Sequence, residues 1–213
     1  MPRRMPPLAS QFAKDVDLAL TLAQVGEIIL AAAGKRSVAW RELRPARLEA
    51  LYEAAYLRIF ISWELFLEES FVRCLCGYAS AAGPASLRQQ ACRTINDGRS
   101  AVLSGHPFVS WADPLKVEQR SQAFIQNGLH ELVVRASIAR LQAFAAIRHR
   151  IAHGSAHARR QFDIATMRLA GRRYRGASPG RFLRDWNHQA VPPDRWIQTV
   201  GGELKNLALQ ILP

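Results

Sequence analysis

Acidic residues are almost missing from one long stretch of this 213-residue chain. From Val133 to Arg184 there are twelve arginines and a single acid, Asp163, which gives the stretch a net charge of +11. The whole chain carries +12, so the remainder is nearly neutral. A positive excess this concentrated is typical of proteins that bind a polyanion, either a nucleic acid or an anionic membrane surface.

Lysine is missing from the same stretch, because every base in it is an arginine. The planar guanidinium group of arginine can donate two parallel hydrogen bonds to one phosphate. This composition therefore favours a phosphate-bearing partner. The alternative is a solvated, arginine-rich face that reflects codon bias in a GC-rich genome.

Cysteines and long apolar runs are also scarce. The chain has only Cys74, Cys76 and Cys92, which form no even disulfide framework, and the Cys-x-Cys pair has no second pair to complete a zinc site. No apolar stretch free of charge reaches the roughly 18 residues that span a membrane. The N-terminal segment MPRRMPPLAS has no apolar run before its prolines, so we expect no signal peptide, no membrane partner and a cytoplasmic protein.

Sustained strand alternation and internal repeats are missing as well, whereas apolar residues recur at helical spacing along most of the chain. The pattern predicts an all-α helical bundle in which two long helices form the core. Residues 84–114 are predicted to be mixed, and residues 171–180 to form a basic loop. Ser10 is a candidate N-cap and Gly34 a candidate stop for the first helix. The predicted helices cover residues 8–33, 45–80, 115–126, 129–152, 155–169 and 194–211.

The second of these helices carries an unusual acid. Its apolar side is predicted to contain Tyr52, Ala55, Ile59, Trp63, Phe66 and Ser70. Glu64 has apolar neighbours at helical spacing, and a carboxylate among them is costly unless it is paired. We expect Glu64 to contact and orient Arg148 and His149. The alternative is a boundary glutamate that pairs with Arg58 or Arg73.

The candidate chemistry lies in FAAIRHRIAHGSAHARR, residues 144–160. Metal-independent RNA cleavage needs a group that exchanges protons near neutral pH, which histidine supplies. It also needs a fixed positive charge for the phosphate, which arginine supplies. Because the ribose 2′-hydroxyl can attack, no nucleophile from the protein is required. Arg148 and His153 are therefore a sufficient pair, with His149 as a supporting group.

Helical geometry restricts how this pair can act. Residues five apart differ by about 140° around a helix axis, so Arg148 and His153 do not share a face. Either the helix distorts near Gly154, or a second copy of the motif completes the site across a twofold axis. We expect the symmetric homodimer.

The histidines permit two other interpretations. His149, His153 and His157 are each four residues apart, a spacing that can present zinc ligands on one helical face. Arg150 stands where the zinc-protease motif has a glutamate, and Gly154 can end the helix before His157; we expect no metal and no other cofactor. Alternatively, His153 only caps the end of the helix.

The basic segment that follows is predicted to bind single-stranded RNA, with phosphates on arginine side chains and a base on Tyr174. The alternative is a mobile, solvated loop. A DNA-binding regulator has no helix-turn-helix pattern to support it. The predicted RNA-binding residues are Arg150, Arg159, Arg160, Arg172, Arg173, Tyr174, Arg175 and Arg181.

Three motifs resemble one family. The string RHRIAHG resembles the Arg-x4-6-His motif of the HEPN superfamily, with His149 in its polar position. The segment AAYLRIFISWELFLEESF (residues 54–71) is similar to the long second helix of the RiboL-PSP-like prokaryotic HEPN subgroup. The loop GRRYRGASPGRFL, followed by a final helix, is the third likeness. Together these motifs lie between about residue 45 and the last helix.

The resemblance implies a single HEPN-like domain that dimerises, with residues 1–44 as an N-terminal helical extension. The core would comprise residues 45–213, with an arginine-rich loop at 168–184. It also implies a metal-independent endoribonuclease that leaves a cyclic phosphate, in which Arg148 and His153 occupy the positions of the catalytic pair. Such proteins often act as toxins or in phage defence, with an antitoxin or defence-system partner. Some members are not catalytic and only bind nucleic acid or a partner protein.

Overall fold

A computed structural model describes residues 3–213, in which ten helices are joined by loops and five strands of two or three residues. The all-α prediction is confirmed. The strands are β1 (Arg3–Arg4), β2 (Tyr78–Ser80), β3 (Gly83–Pro84), β4 (Trp186–Asn187) and β5 (Asp194–Arg195). The helices are α1 (Leu8–Ala32), α2 (Val38–Glu42), α3 (Pro45–Leu75), α4 (Ile95–Leu103), α5 (Pro114–Phe124), α6 (Leu129–Ala136), α7 (Ile138–Ala152), α8 (Ala156–Ala170), α9 (Pro179–Arg184) and α10 (Trp196–Ile211).

The chain forms two compact units, each built from separated segments. Unit 1 contains the residues up to Ala13, Ser62–Gln142 and Leu204–Pro213. Unit 2 contains Lys14–Ile61 and Ala143–Glu203. Four helices (α1, α3, α7 and α10) therefore contribute residues to both units.

Aromatic side chains fill the core of unit 1. Phe12 of α1 packs against Trp63 and Phe66 of α3, with ring centroids 5.7 and 5.6 Å apart. Trp63 is buried, in agreement with the predicted apolar side of this helix. A small sheet joins chain segments that are distant in sequence, because β1 pairs in parallel with β2 and β2 pairs with β3. Beside it, the Ala81 N–H donates to the carbonyl oxygen of Pro213.

A buried histidine lies in the same core. His130 is in contact with Phe71, and its Nε2 lies 2.8 Å from Ser70 Oγ. Because the Ser70 hydroxyl donates its proton to the Leu67 carbonyl, it accepts a hydrogen bond from protonated Nε2. Burial lowers the pKa of His130 to about 4, so this histidine is neutral at physiological pH.

Unit 2 has its own aromatic core. The buried Tyr56 hydroxyl donates to the carbonyl oxygen of Phe144 at 2.9 Å, which ties α3 to α7. Phe182 of α9 stacks on Trp196 of α10 and packs edge-on against Phe162 of α8. The strand pair β4–β5 sits between α9 and α10 in the chain and matches Trp186 with Arg195.

Two of the predicted helices have different ends. The helix that begins at Pro45 stops at Leu75 rather than near residue 80, because Gly77 adopts a positive φ of 75° and β2 follows. The predicted helix 129–152 is broken at Ser137, whose carbonyl accepts the N–H groups of Arg140 and Leu141 and starts α7. Leu132, which the apolar period places on the buried side, is exposed, and the buried residues of the preceding helix α6 are His130, Glu131 and Val134.

Other local predictions are also corrected. Ser10 lies inside α1 instead of capping it, and Ile28, which the period places on the buried side, is exposed at 66%. Cys74 and Cys76 are buried, whereas Cys92 is half-buried. No helix within residues 3–213 is long and apolar enough to span a membrane.

The basic loop is shorter than predicted. Helix α8 continues to Ala170, and α9 begins at Pro179, so the loop is confined to residues 171–178. The Ser178 side chain caps α9 by accepting from the Arg181 N–H at 3.1 Å, and Pro179 occupies the first helical position. Arg181 and Arg184, which belong to the predicted arginine-rich loop 168–184, are therefore held on a helix.

Candidate functional site

The end of α7 carries a group of five side chains, called here the Arg–His cluster: Arg148, His149, Arg150, His153 and His157. Helical hydrogen bonding continues to His153, whose N–H donates to the His149 carbonyl at 2.9 Å. Arg150 then caps the turn, with Nη1 donating to the His153 carbonyl at 3.3 Å. Helix α7 ends before Gly154, and α8 starts after its N-cap Ser155.

Three imidazole rings meet across this break. The ring centroids of His149 and His153 are 4.5 Å apart, and those of His149 and His157 are 6.4 Å apart. His149 is half-buried, whereas His153 and His157 are exposed. The first turn of α8 therefore brings His157 back to the histidines of α7, so the short break at Gly154 does not disperse the group.

The electrostatics of the cluster favour a neutral imidazole at its centre. Burial lowers the pKa of His149, and the positive charges that His153, His157 and Arg148 carry or can carry lower it further. A neutral ring can accept a proton, and its exposed neighbours can exchange protons with solvent. The cluster thus combines proton acceptors with fixed positive charge.

Arg148 comes directly before His149 in the chain and is half-buried. The hydrogen bond from the His153 N–H to the His149 carbonyl shows that the backbone stays helical from one residue to the other. The angle of about 140° between positions 148 and 153 is therefore retained. No distortion separates them, since the break comes only after His153.

Glu64 is half-buried on α3 and belongs to unit 1. Of its four apolar neighbours at helical spacing, Phe60, Leu67 and Phe71 are buried, whereas Ile61 is exposed. Arg73, one of the two predicted surface partners, forms an ion pair with Glu69. The contact of Glu64 with Arg148 and His149 stays a prediction.

The histidine stripe does not form a metal centre in this arrangement. Among residues 3–213, no group of three or more His, Cys, Asp or Glu side chains is placed so that it could hold a metal ion.

A second cationic feature, called here the Arg-rich cleft, lies beyond the other end of α8. It is a cavity of about 740 Å³ within unit 2. Four of the predicted RNA-binding arginines and Tyr174 meet there, although they come from both the loop and α9. The cleft is lined by Pro45, Glu49, Arg172, Arg173, Tyr174, Arg175, Ala177, Arg181, Arg184, Asp185, Trp186 and Arg195.

One wall of the cleft is organised by Asp185. Arg172 and the Tyr174 hydroxyl both donate to the same carboxylate oxygen of Asp185. The Arg172 guanidinium also lies over the Tyr174 ring, 5.0 Å from its centroid, and the ring packs edge-on against buried Phe182. Tyr174 is therefore fixed by a polar and an apolar contact, and is not part of a mobile tip.

Two further arginines of the lining, Arg184 and Arg195, are held by Glu27 of α1. Its Oε1 accepts from Arg184 Nε at 2.7 Å and from the Tyr52 hydroxyl at 3.0 Å, and lies 3.2 Å from Arg195 Nη2. Burial alone would raise the pKa of Glu27, but the hydrogen bonds from Arg184 and Tyr52 and the charge of Arg195 hold it below its ordinary value. Arg195 in turn lies over Trp186, 4.9 Å from the ring centroid.

Three arginines of the cleft are left for a ligand. Arg173, Arg175 and Arg181 are exposed, and within residues 3–213 none of them forms an ion pair with a carboxylate. The two acids of the lining are already engaged, since Asp185 binds Arg172 and Glu49 accepts from the Ser178 hydroxyl at 2.5 Å. The cleft consequently presents uncompensated positive charge.

Helix α8 fixes the separation of the two sites. Its 15 residues begin beside His157 and end just before the loop that carries Arg172. At 1.5 Å per residue, the helix places the Arg–His cluster and the Arg-rich cleft about 20 Å apart. Arg159 and Arg160 are exposed at the start of α8, and Arg168 near its end.

The sequence thus predicts all five side chains of the Arg–His cluster but only some of the residues of the cleft. It did not identify the two acids that organise the cleft, Glu27 and Asp185, nor Trp186 and Arg195. Nothing in the local pattern around Glu27 marks it, because its partners are up to 168 residues away in the chain. The lone tryptophan of RDWN, directly after the arginine run, was the one available signal.

No protein-family model matches the chain, and neither a curated protein nor a solved structure matches it.

Proposed function

We propose that this protein is a metal-independent endoribonuclease of HEPN type. The proposal rests above all on one observation: His149 and His153 have their rings 4.5 Å apart at the end of α7, directly after Arg148. His153 is exposed and is assigned as the general acid and base. Arg148 stabilises charge on the phosphate, and His149 supports both groups.

The proposed reaction needs no group beyond the cluster and the RNA. A histidine removes the proton of the ribose 2′-hydroxyl, and the 2′-oxygen attacks the adjacent phosphorus. The bond from phosphorus to the 5′-oxygen breaks, and that oxygen takes a proton from a protonated histidine. The products are a 2′,3′-cyclic phosphate and a 5′-hydroxyl, and Arg148 neutralises the charge that builds up on the phosphate oxygens.

We further propose that two copies of the chain complete the site. Since the backbone is helical from Arg148 to His153, these side chains leave α7 in directions about 140° apart. A twofold axis beside the end of α7 would place the arginine of each copy near the histidines of the other. The resemblance also suggests a toxin or phage-defence effector, with an antitoxin or defence-system protein as a further partner.

The second candidate function is a non-catalytic module that binds nucleic acid or a partner protein. The separation of the two sites supports such a module, because the Arg-rich cleft is complete without the Arg–His cluster. Such a module would bind RNA in a salt-dependent manner without turning it over.

The test is cleavage of total RNA by the purified protein in EDTA, with detection of cyclic-phosphate ends. We expect the wild type to cleave, and Arg148→Ala and His153→Ala to lose at least about a hundredfold in rate. Arg88→Ala and His106→Ala remove the same residue types at exposed positions outside the cluster and should cleave as the wild type does. Cleavage that survives both cluster substitutions, or that requires a divalent metal, would contradict the proposal.

A further inference from the structure

We infer that the Arg-rich cleft is an anchoring site for unpaired RNA, which holds a strand about 20 Å from the phosphate that is cut. The cutting half of this inference rests on the proposed function, whereas the binding half rests on the cleft alone.

The lining of the cleft is positively charged. Arg173, Arg175 and Arg181 face the cleft without carboxylate partners, and both lining acids are engaged by other groups. The lining holds six arginines and only two acids, so an anion that enters the cleft is attracted to it. A phosphodiester strand supplies one negative charge per nucleotide, and each can accept hydrogen bonds from a guanidinium fork.

Two aromatic side chains, Tyr174 and Trp186, also line the cleft. Trp186 is 46% exposed, and Arg195 is stacked on it while Glu27 holds that guanidinium from the side. Tyr174 is fixed by Asp185 and Phe182. An indole held in this way offers a surface on which a base can stack, and stacking of this kind requires a base that is not already paired within a duplex.

The size of the cavity suits single nucleotides. Its volume of about 740 Å³ falls in the range of roughly 300 to 1,000 Å³ that accommodates ligands of nucleotide size. It is far too small for a duplex. The cleft therefore takes one or two unstacked nucleotides of a longer strand.

The length of α8 then sets a minimum size for the substrate. A strand bound at both sites of one chain must cross about 20 Å, which takes about three nucleotides of a fully extended strand at roughly twice the 3.4 Å spacing of a stacked one. A dinucleotide can reach the Arg–His cluster but cannot also enter the cleft. A dodecanucleotide can occupy both.

The binding half is tested in the His153→Ala background, so that the RNA is not consumed. Fluorescence anisotropy measures the affinity of a labelled random-sequence RNA dodecamer at several salt concentrations. Adding Arg173→Ala, Arg175→Ala and Arg181→Ala should lower the slope of log K against log salt by about 2, at roughly 0.7 per phosphate contact. The matched control adds Arg36→Ala, Arg41→Ala and Arg88→Ala, three exposed arginines outside the cleft, and should leave the slope within about 0.5 of the parent.

Trp186→Ala separates stacking from charge. It should weaken binding of the single strand by about tenfold while leaving the salt slope unchanged. A double-stranded RNA of twelve base pairs should bind more weakly than the single strand and be insensitive to Trp186→Ala. If the duplex binds as tightly and shows the same loss, the assignment to unpaired RNA is wrong.

The cutting half is tested with the active protein on random-sequence dinucleotides and dodecamers, with cyclic-phosphate ends as the readout. The wild type should have a higher kcat/KM for dodecamers than for dinucleotides, and the triple cleft variant should lower the ratio of the two values to about one, since only the longer strand can span about 20 Å. Equal losses on both substrates, or none on either, would overturn the anchoring role. If the wild type cleaves neither substrate but the salt-slope difference persists, the proposed nuclease function fails while the RNA site stands.

Discussion

Gly180 lies so close to Glu49 that a β-carbon at position 180 would overlap with the Glu49 carbonyl oxygen. The Gly180 N–H also donates to Glu53 Oε1 at 2.9 Å, so the start of α9 is seated directly on α3. This seat fixes Arg181 and Arg184 in the wall of the Arg-rich cleft.

We therefore expect Gly180→Ala to lower the free energy of unfolding by at least about 2 kcal/mol, because backbone atoms on α3 cannot move aside. Urea unfolding measures the change. Gly202→Ala is the matched control, since a β-carbon there meets nothing within 4 Å and the residue lies inside α10. It should raise stability by about 0.5 to 1 kcal/mol. Equal effects at the two positions would show that α9 is not seated as described.

Removal of the Glu27 carboxylate tests how Arg184 and Arg195 are held in the lining of the cleft. Glu27→Gln leaves Arg184 and Arg195 without their common charged partner and should cost about 2 kcal/mol at pH 7. The exposed pair Glu42–Arg47 supplies the control, and Glu42→Gln should change stability by less than about 0.5 kcal/mol.

The same substitution predicts a pH dependence. The pKa of Glu27 is lowered in the folded protein, so its stabilising contribution is present above its ordinary value of 4.5 and is lost as the pH falls through the folded value. The stability difference between wild type and Glu27→Gln should consequently shrink below pH 4.5. A difference that is constant from pH 7 to pH 3 would contradict the ion-pair network.

His130 predicts acid sensitivity of a different origin. Its pKa falls from 6.5 to about 4 on burial. Between these two pH values the unfolded chain therefore binds a proton that the folded chain does not bind. Stability should decline by up to about 3 kcal/mol as the pH drops through this window, at about 1.4 kcal/mol per unit. In His130→Gln the decline should be smaller, as measured by urea unfolding at pH 7, 5.5 and 4. An unchanged decline would assign the acid sensitivity to other groups.

The Arg–His cluster predicts coupled titration. His157→Ala removes one of the charges that lower the pKa of His149, so this pKa should move up towards its ordinary value. NMR titration of the imidazole carbon-bound protons reports the shift directly. His106→Ala, at an exposed position outside the cluster, should leave the pKa of His149 unchanged. If both variants titrate as the wild type does, the three rings do not interact in solution.

Much of the fold could be predicted from the sequence, because long helices with a strict apolar period leave a clear pattern. The buried side of α3, with Tyr52, Ile59 and Trp63, is an example. The break at Ser137 could not be predicted, since serine is tolerated inside helices and the apolar period continues across it. The end of α3 depends on Gly77 and on pairing of β2 with β1, about 75 residues earlier in the chain.

The candidate sites divide in the same way. The residues of the Arg–His cluster are neighbours in the chain, so spacing alone brings them to one helix end. The cleft depends on contacts such as Glu27 with Arg184 and Tyr174 with Asp185, which join α1, the basic loop and the segment after α9. Composition identified the arginines, but only tertiary packing determines which of them are engaged by acids and which remain for a ligand.

The interleaving of the two units has a consequence for synthesis on the ribosome. Unit 1 is assembled from residues up to Ala13, a central segment and Leu204–Pro213, and the Pro213 carbonyl accepts the Ala81 N–H. The residues up to Ala13 must therefore wait for Leu204–Pro213 before unit 1 is complete. Unit 2 has a similar property, because Glu27 meets Arg195 only after the residues between them have been made. A nascent chain consequently has no finished cleft until synthesis has passed Arg195.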